Sequence, residues 1–223
     1  MTGKQKTITI AIDGTFASGK GTLGKHLSAH YGLSYLDTGK LYRAVAKAVI
    51  DSGGDPDNAR DAKAAVSAID TNQLDDPILK SGPIGAAASK VAVHTAVRAA
   101  LFDFQRGFAA KPPADKNGAI LDGRDIGTVI YPDADVKLYI DAAPQERARR
   151  RHAELMGYGE DISLETVAAQ LSERDARDSG RANAPLKPAK DAHLIDTTGL
   201  SIEAVLERAI AIIDNLCRDK LAK

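Results

Sequence analysis

Short apolar runs alternate with longer amphipathic ones along most of the 223-residue chain. Five of the short runs predict strands: Thr7–Asp13, Ser34–Leu36, Ala119–Asp122, Val136–Asp141 and His193–Asp196. Several are apolar at successive positions rather than at every second one, the pattern of parallel strands covered on both faces. Between them, helical spacing predicts Lys20–Tyr31, Leu41–Ser52, Ala86–Gly107, Pro144–Met156, Ser163–Ser179 and Ser201–Leu221. Boundary signals agree. Leu41–Ser52 stops before Gly53-Gly54, and Pro144 stands at a first turn. In the last helix Ile202, Val205, Leu206, Ala209, Ile213 and Leu216 share one stripe, with Cys217 off it. Strands alternating with helices define an α/β fold, a parallel sheet flanked by helices. Two polar stretches, Asp55–Pro83 and Gly157–Pro188, interrupt that alternation. They read as excursions from the core and candidates for mobile lids.

Composition narrows the picture. At 43% hydrophobic with 4% aromatic and no Trp, the core must be aliphatic. Thirty basic residues balance thirty acidic ones, which argues against a protein that coats nucleic acid. Charge is nevertheless clustered: Arg147, Arg149, Arg150, Arg151, Arg174, Arg177 and Arg181 fall within one stretch. Arginine clusters in a neutral protein point to a small anionic ligand. The single cysteine excludes an internal disulfide and fits a reducing compartment. MTGKQKTITIAID has no apolar leader core, and no apolar run approaches the ~20 residues of a membrane span. The expectation is a cytoplasmic protein without membrane or nucleic-acid partners.

The candidate chemistry starts at Gly14-Thr15-Phe16-Ala17-Ser18-Gly19-Lys20, which fits G-x-x-x-x-G-K between a predicted strand and a predicted helix. Such a loop points successive N–H groups at an anion and adds the positive end of the following helix. Lys20 would supply a point charge for the β- and γ-phosphates of a nucleotide. The position that normally carries a magnesium-binding hydroxyl holds Gly21, with Thr22 one residue later. The metal is therefore expected to lean on phosphate oxygens, water and an acidic residue, and Asp122, at the end of a later strand, is the nearest equivalent of the second acidic motif. No side chain is assigned as a direct metal ligand. Asp122 is followed by Gly123 rather than a water-activating Glu, and N-K-x-D is absent. Both absences disfavour a hydrolase or GTPase switch. A kinase, whose acceptor brings its own nucleophile, needs neither.

Four further segments narrow the class: LDTGKLYR (Leu36–Arg43), DGRDIGTVIYPDADVKLYIDA (Asp122–Ala142), ERDARDSGRANAPL (Glu173–Leu186) and DTTGLSIEAV (Asp196–Val205). With GKGT in the loop, they resemble bacterial cytidylate kinases, in order and spacing, from Ile8 to about Leu216. The resemblance implies a P-loop NTPase core in one domain. It adds a monophosphate-binding excursion at about 55–107 and an arginine-bearing lid at about 157–188. It implies transfer of the γ-phosphoryl group of ATP to CMP or dCMP, with Mg²⁺. Gly14 through Thr22 would hold ATP. Thr38 and Arg43 would contact the acceptor phosphate, with Arg124 beside them. Asp125, Ser89 and Arg98 would read cytosine, and Asp178 would hold the ribose. Lys20, Arg124, Arg174 and Arg181 would form the catalytic charge, with Arg177 nearby. A monomer is expected, since lids must move freely.

The chain also departs from the family pattern. Thr15 replaces the usual proline, Phe16-Ala17-Ser18 lacks a central glycine, and the insert before Ser89 is short. Other segments keep more than one reading. ERARRRH (Glu146–His152) reads as a solvated helix face or a nucleic-acid patch, Glu146 and Glu154 favouring the solvated face for most of it, and by looser likeness to other monophosphate kinases it would place Arg147 on adenine and Arg151 on ATP phosphate. ERDARDSGR reads equally as an i,i+4 ladder such as Arg174 with Asp178.

Overall fold

The sheet is built around β1 (Ile8–Gly14), every residue of which is buried. A computed structural model describes residues 7–70, 73–113 and 115–221. Parallel pairing sets β3 (Gly118–Asp122) on one side of β1 and β4 (Val136–Asp141) on the other. β2 (Ser34–Asp37) and β5 (His193–Asp196) complete the order β2-β3-β1-β4-β5. All pairs are parallel, so every carboxyl end lies along one edge. In such sheets ligands bind at that edge, where the strand order reverses. β1, with its sequence neighbours displaced to either side, is that reversal point.

The chain forms two compact units. One comprises the chain up to Asp37, Gln105–Ala143 and everything from Leu186 onward. It holds the sheet, α1 (Lys20–Tyr31), α8 (Ile202–Leu216) and the short α9 (Arg218–Leu221). Its core is aliphatic, with Ile10, Ile12, Leu27, Ile120, Leu138, Ile140 and Ile213 fully buried. The other comprises Thr38–Phe104 and Pro144–Pro185. It holds α2 (Thr38–Asp51), α3 (Ala59–Ala65), α4 (Gly82–Val91), α6 (Pro144–Gly157) and α7 (Leu164–Ser179). There α2 packs on α3 and α4, and α7 on α4 and α6. α5 (Thr95–Ala110) begins in this unit and ends in the first.

Two predicted helices are corrected. Ala86–Gly107 is not one helix: α4 ends at Val91 and α5 starts at Thr95. The turn between them is closed by Val93 N–H to Lys90 O and His94 N–H to Val91 O. Breaking there buries Val91, Ala92 and Val97 and leaves Val93 outside. A continuous helix would have placed Val93 on the apolar stripe. The last helix also ends early, at Leu216, and Cys217 caps it by donating its N–H to Ile213 O. Cys217 lies in the core rather than off the stripe. Val205, Ala209, Ile213 and Cys217 recur every four residues, so they form the row that faces the sheet. Ile202 and Leu216, expected on that row, are exposed.

Candidate active site

The carboxyl edge of the sheet collects carboxylates. Asp37, Asp122, Asp141 and Asp196 close β2, β3, β4 and β5, and Asp13 is the penultimate residue of β1. Among them stands the glycine loop. Gly14 is obligatory, because a Cβ there would lie 1.9 Å from Ile140 O at a φ of 143°. Ala17 takes a φ of 60°, the left-handed region where glycine is at ease. Here the expected central glycine is missed, yet the turn is made.

Hydrogen bonds brace the loop. Thr15 Oγ1 donates to Asp141 Oδ1 at 2.6 Å, and Ser18 Oγ donates to Thr15 O at 2.9 Å. Thr197 Oγ1 donates to Ser18 O at 2.9 Å. Lys20, buried at the start of α1, donates from Nζ to Thr15 O at 2.6 Å. Its charge is disfavoured by burial and by the neighbouring Arg124, against the pull of Asp122, Asp37 and Asp13. Its pKa falls to about 7. Burial likewise lifts Asp122 to about 6, against the pull of Lys20. Asp13 rises to about 7 by burial, although its carboxylate accepts N–H bonds from Gly127 at 2.7 Å and Ile126 at 2.8 Å.

Those two bonds hold the segment after Asp122-Gly-Arg-Asp125. Gly123 N–H bonds Ile12 O, and residues Ile126–Ile130 form a π-helical turn whose first two N–H groups meet Asp13. π-Turns of this kind recur at functional sites. Asp125 is buried, and its carbonyl accepts from Val129 and Ile130. The Arg124 guanidinium lies 6.0 Å from the Phe16 ring centroid, within cation–π range. The structure thus brings Lys20, Arg124, Asp125 and residues 14–22 into one unit.

The remaining predicted residues belong to the second unit. Arg43 donates from Nη1 to Leu79 O at 2.6 Å, in room left by Gly85, where a Cβ would sit 3.1 Å from that nitrogen. Thr38 is buried at the start of α2. Arg98 donates to Tyr42 Oη at 3.3 Å and lies 5.9 Å from its ring centroid. Ser89 lies on α4 and Arg98 on α5, so the two are not on one helix. Ser89 Oγ instead accepts from Arg177 Nε at 3.0 Å. On α7, Asp178 is buried, ion-paired with Arg181 and 3.9 Å from Arg174. Arg174 also donates to Gly85 O at 3.2 Å. Arg147 makes a forked pair with Asp175, and Arg151 pairs with Glu154 at 2.7 Å. Both arginines are buried, which corrects the solvated-face reading for these two; Arg149 stays exposed.

Sequence reasoning missed Asp13, Tyr35, Asp141 and Thr197. The available signal was the Asp closing each apolar strand, together with the position of those ends at the ligand edge of a parallel sheet.

A parallel sheet whose reversal strand runs through a glycine loop into a helix headed by a buried lysine is a P-loop NTPase core. The loop's GKGT form and the arginine-rich second unit place it among kinases rather than hydrolases. The chain belongs to the cytidylate kinase family, whose model matches residues 10–215. Its relatives include the cytidylate kinase of Afipia carboxidovorans, 55% identical over 205 residues, covering 92% of this chain and 96% of that one. The Nitrobacter winogradskyi cytidylate kinase is 53% identical over 93% of this chain and 96% of its own. That of Rhizobium meliloti is 47% identical over 96% of this chain and 100% of its own. Among solved structures, an uncharacterized protein from Eubacterium ventriosum shares the fold. Its TM-score is 0.54 at 18% identity, with 95% of this chain and 99% of that chain covered.

Proposed function

We propose that this protein transfers the γ-phosphoryl group of ATP to CMP or dCMP, giving ADP and the cytidine diphosphate. The observation that carries the reading is Lys20, buried at the head of α1 and ringed by the phosphate loop, Asp122 and Arg124. In-line phosphoryl transfer leaves little covalent work to protein; it needs positioning and positive charge. Gly14–Thr22 cradle ATP with backbone N–H groups, and Lys20 exchanges the Thr15 carbonyl for a phosphate oxygen. Arg124, Arg174 and Arg181 complete the charge around the moving group. Thr38 and Arg43 hold the acceptor phosphate. Ser89, Arg98 and Asp125 read cytosine, and Asp178 holds the ribose. An Asp accepts from the cytosine amine and would face a carbonyl in uracil, which disfavours UMP. The acceptor oxygen is already ionised near neutral pH, so no general base is needed.

Mg²⁺ fits the donor set. Among the described residues no group of three or more His, Cys, Asp and Glu could hold an ion. Asp122 and its sheet partner Asp37 nonetheless offer oxygen ligands at the loop. Mg²⁺ characteristically takes one or two carboxylates with phosphate oxygens and water. Asp122 would hold it, and the ion would neutralise charge on the phosphates. Residues 55–107 act as the acceptor-binding excursion and 157–188 as the lid. The protein works as a cytoplasmic monomer without nucleic-acid or membrane partners. Among the described residues no helix is long and apolar enough to cross a membrane.

The test is a steady-state panel of CMP, dCMP, UMP and AMP with MgATP. CMP or dCMP is expected to give the highest kcat/KM. Preference for UMP or AMP would overturn the specificity, and ATP binding without transfer to any monophosphate would favour a nucleotide-binding module.

A further inference from the structure

α1 carries two glycines, Gly21 and Gly24, on one helical face. Glycine weakens a helix by about 1 kcal/mol relative to alanine, so two of them in a 12-residue helix call for a reason. At Gly24 the reason is Tyr35 on β2. A Cβ at Gly24 would lie 2.4 Å from Tyr35 Cε2, so the tyrosine ring fills the space that a side chain there would take. A Cβ at Gly21 would lie 3.6 Å from Tyr35 Oη and 3.7 Å from Asp122 Oδ2. Tyr35 Oη donates to Asp122 Oδ2 at 3.1 Å. In a loop with Ser or Thr after the lysine, the side-chain oxygen stands one bond beyond that Cβ. Here a hydroxyl reaches the same neighbourhood from the opposite strand.

We propose that Tyr35 is a positioning residue that substitutes for the missing loop hydroxyl: lodged in the slot left by Gly24, with its hydroxyl beside Gly21, it fixes the Asp122 carboxylate for a divalent cation bound with ATP. The proposal rests on the kinase reading of the site. It ties Tyr35 sterically to Gly24 and sets its hydroxyl in van der Waals reach of the Gly21 position.

The experiment is calorimetric titration of ATP, in excess EDTA and in millimolar Mg²⁺, without any monophosphate. It compares the intact protein with Tyr35→Phe and with Gly21→Ser/Tyr35→Phe. Tyr35→Phe keeps the ring beside Gly24 and removes one hydrogen bond to a charged group, a change worth about tenfold. MgATP affinity is expected to fall about tenfold, with metal-free ATP affinity unchanged. The double variant returns a hydroxyl from the helix side and is expected to recover most of the magnesium effect. Equal magnesium dependence in Tyr35→Phe and the intact protein overturns the proposal. So does a parallel loss of metal-free ATP binding, which would make Tyr35 mere packing, and so does a double variant no better than Tyr35→Phe. Because no acceptor is present, these outcomes are independent of which monophosphate the enzyme uses.

Discussion

Thr15 stands where the family pattern has proline, and its surroundings explain why the loop survives the exchange. Its hydroxyl ties the loop to Asp141 at the end of β4, while its carbonyl receives both Ser18 Oγ and Lys20 Nζ. Proline would offer the carbonyl but no hydroxyl. Tethering by a hydrogen bond thus stands in for the rigidity of a fixed φ. Asp141 Oδ1 also accepts the Ala142 N–H at 2.8 Å, so it keeps a partner when the hydroxyl is removed. Thr15→Val is nearly isosteric and deletes that bond alone. It is expected to lower unfolding free energy by about 1 kcal/mol, measured by urea denaturation, and to raise KM for ATP more than KM for the acceptor. Unchanged stability and unchanged ATP KM would show that the tether is idle. Neither partner was legible beforehand, because Thr15 and Asp141 are 126 positions apart and no motif links them.

Elements differ in how far sequence reveals them. The central strands and the phosphate loop are readable because buried parallel strands are apolar throughout and the loop is set by local glycine chemistry, while the edge strands β2 and β5 are read from short apolar runs. The α4–α5 break is not, since Ala92, Val93 and His94 carry no Gly or Pro and continue the apolar spacing. Tertiary burial of Val91 and Val97 decided it. Cys217 departs from the sequence pattern for a related reason: Ile202 and Leu216 continue the apolar spacing but lie one row away from the line that meets the sheet. On α7 the ladder anticipated from charge spacing is present, but its centre is buried rather than solvated. Asp178 sits between Arg181 and Arg174 with almost no exposure, 1% for its side chain and 5% for that of Arg181. Removing Asp178 takes from Arg181 and Arg174 a carboxylate buried with them, which is costlier than losing a surface bridge. Asp178→Ala is therefore expected to destabilise the protein by about 3 kcal/mol, read as a lowered midpoint in chemical denaturation. A change below the range of surface pairs would mean that Arg181 is reached by water and that the ladder is decorative.

At the scale of the whole molecule, a chain of zero net charge concentrates an electrostatic conflict at one sheet edge. Burial raises Asp13 to about 7 and Asp122 to about 6, and burial with Arg124 lowers Lys20 to about 7. The signs follow from proton counts. Between pH 4 and 7 the folded carboxylates hold protons that the unfolded chain has released, so their contribution to stability falls as pH rises. Between pH 7 and about 10 the unfolded chain keeps a proton on lysine that the folded protein has lost, so the Lys20 contribution rises with pH. The cluster is thus least favourable near neutrality, where an arriving polyphosphate relieves it by restoring the ammonium form of Lys20. ATP binding at pH 8 is accordingly expected to take up a fraction of a proton from solution. Calorimetry in buffers of different ionisation enthalpy measures this directly, as a positive slope of observed enthalpy against buffer enthalpy. The slope should vanish in Lys20→Met, and it should shrink at pH 6, where Lys20 is already charged in the free protein. A slope of zero at pH 8 in the intact protein would mean that Lys20 enters the reaction already charged, and that the surrounding carboxylates outweigh its burial.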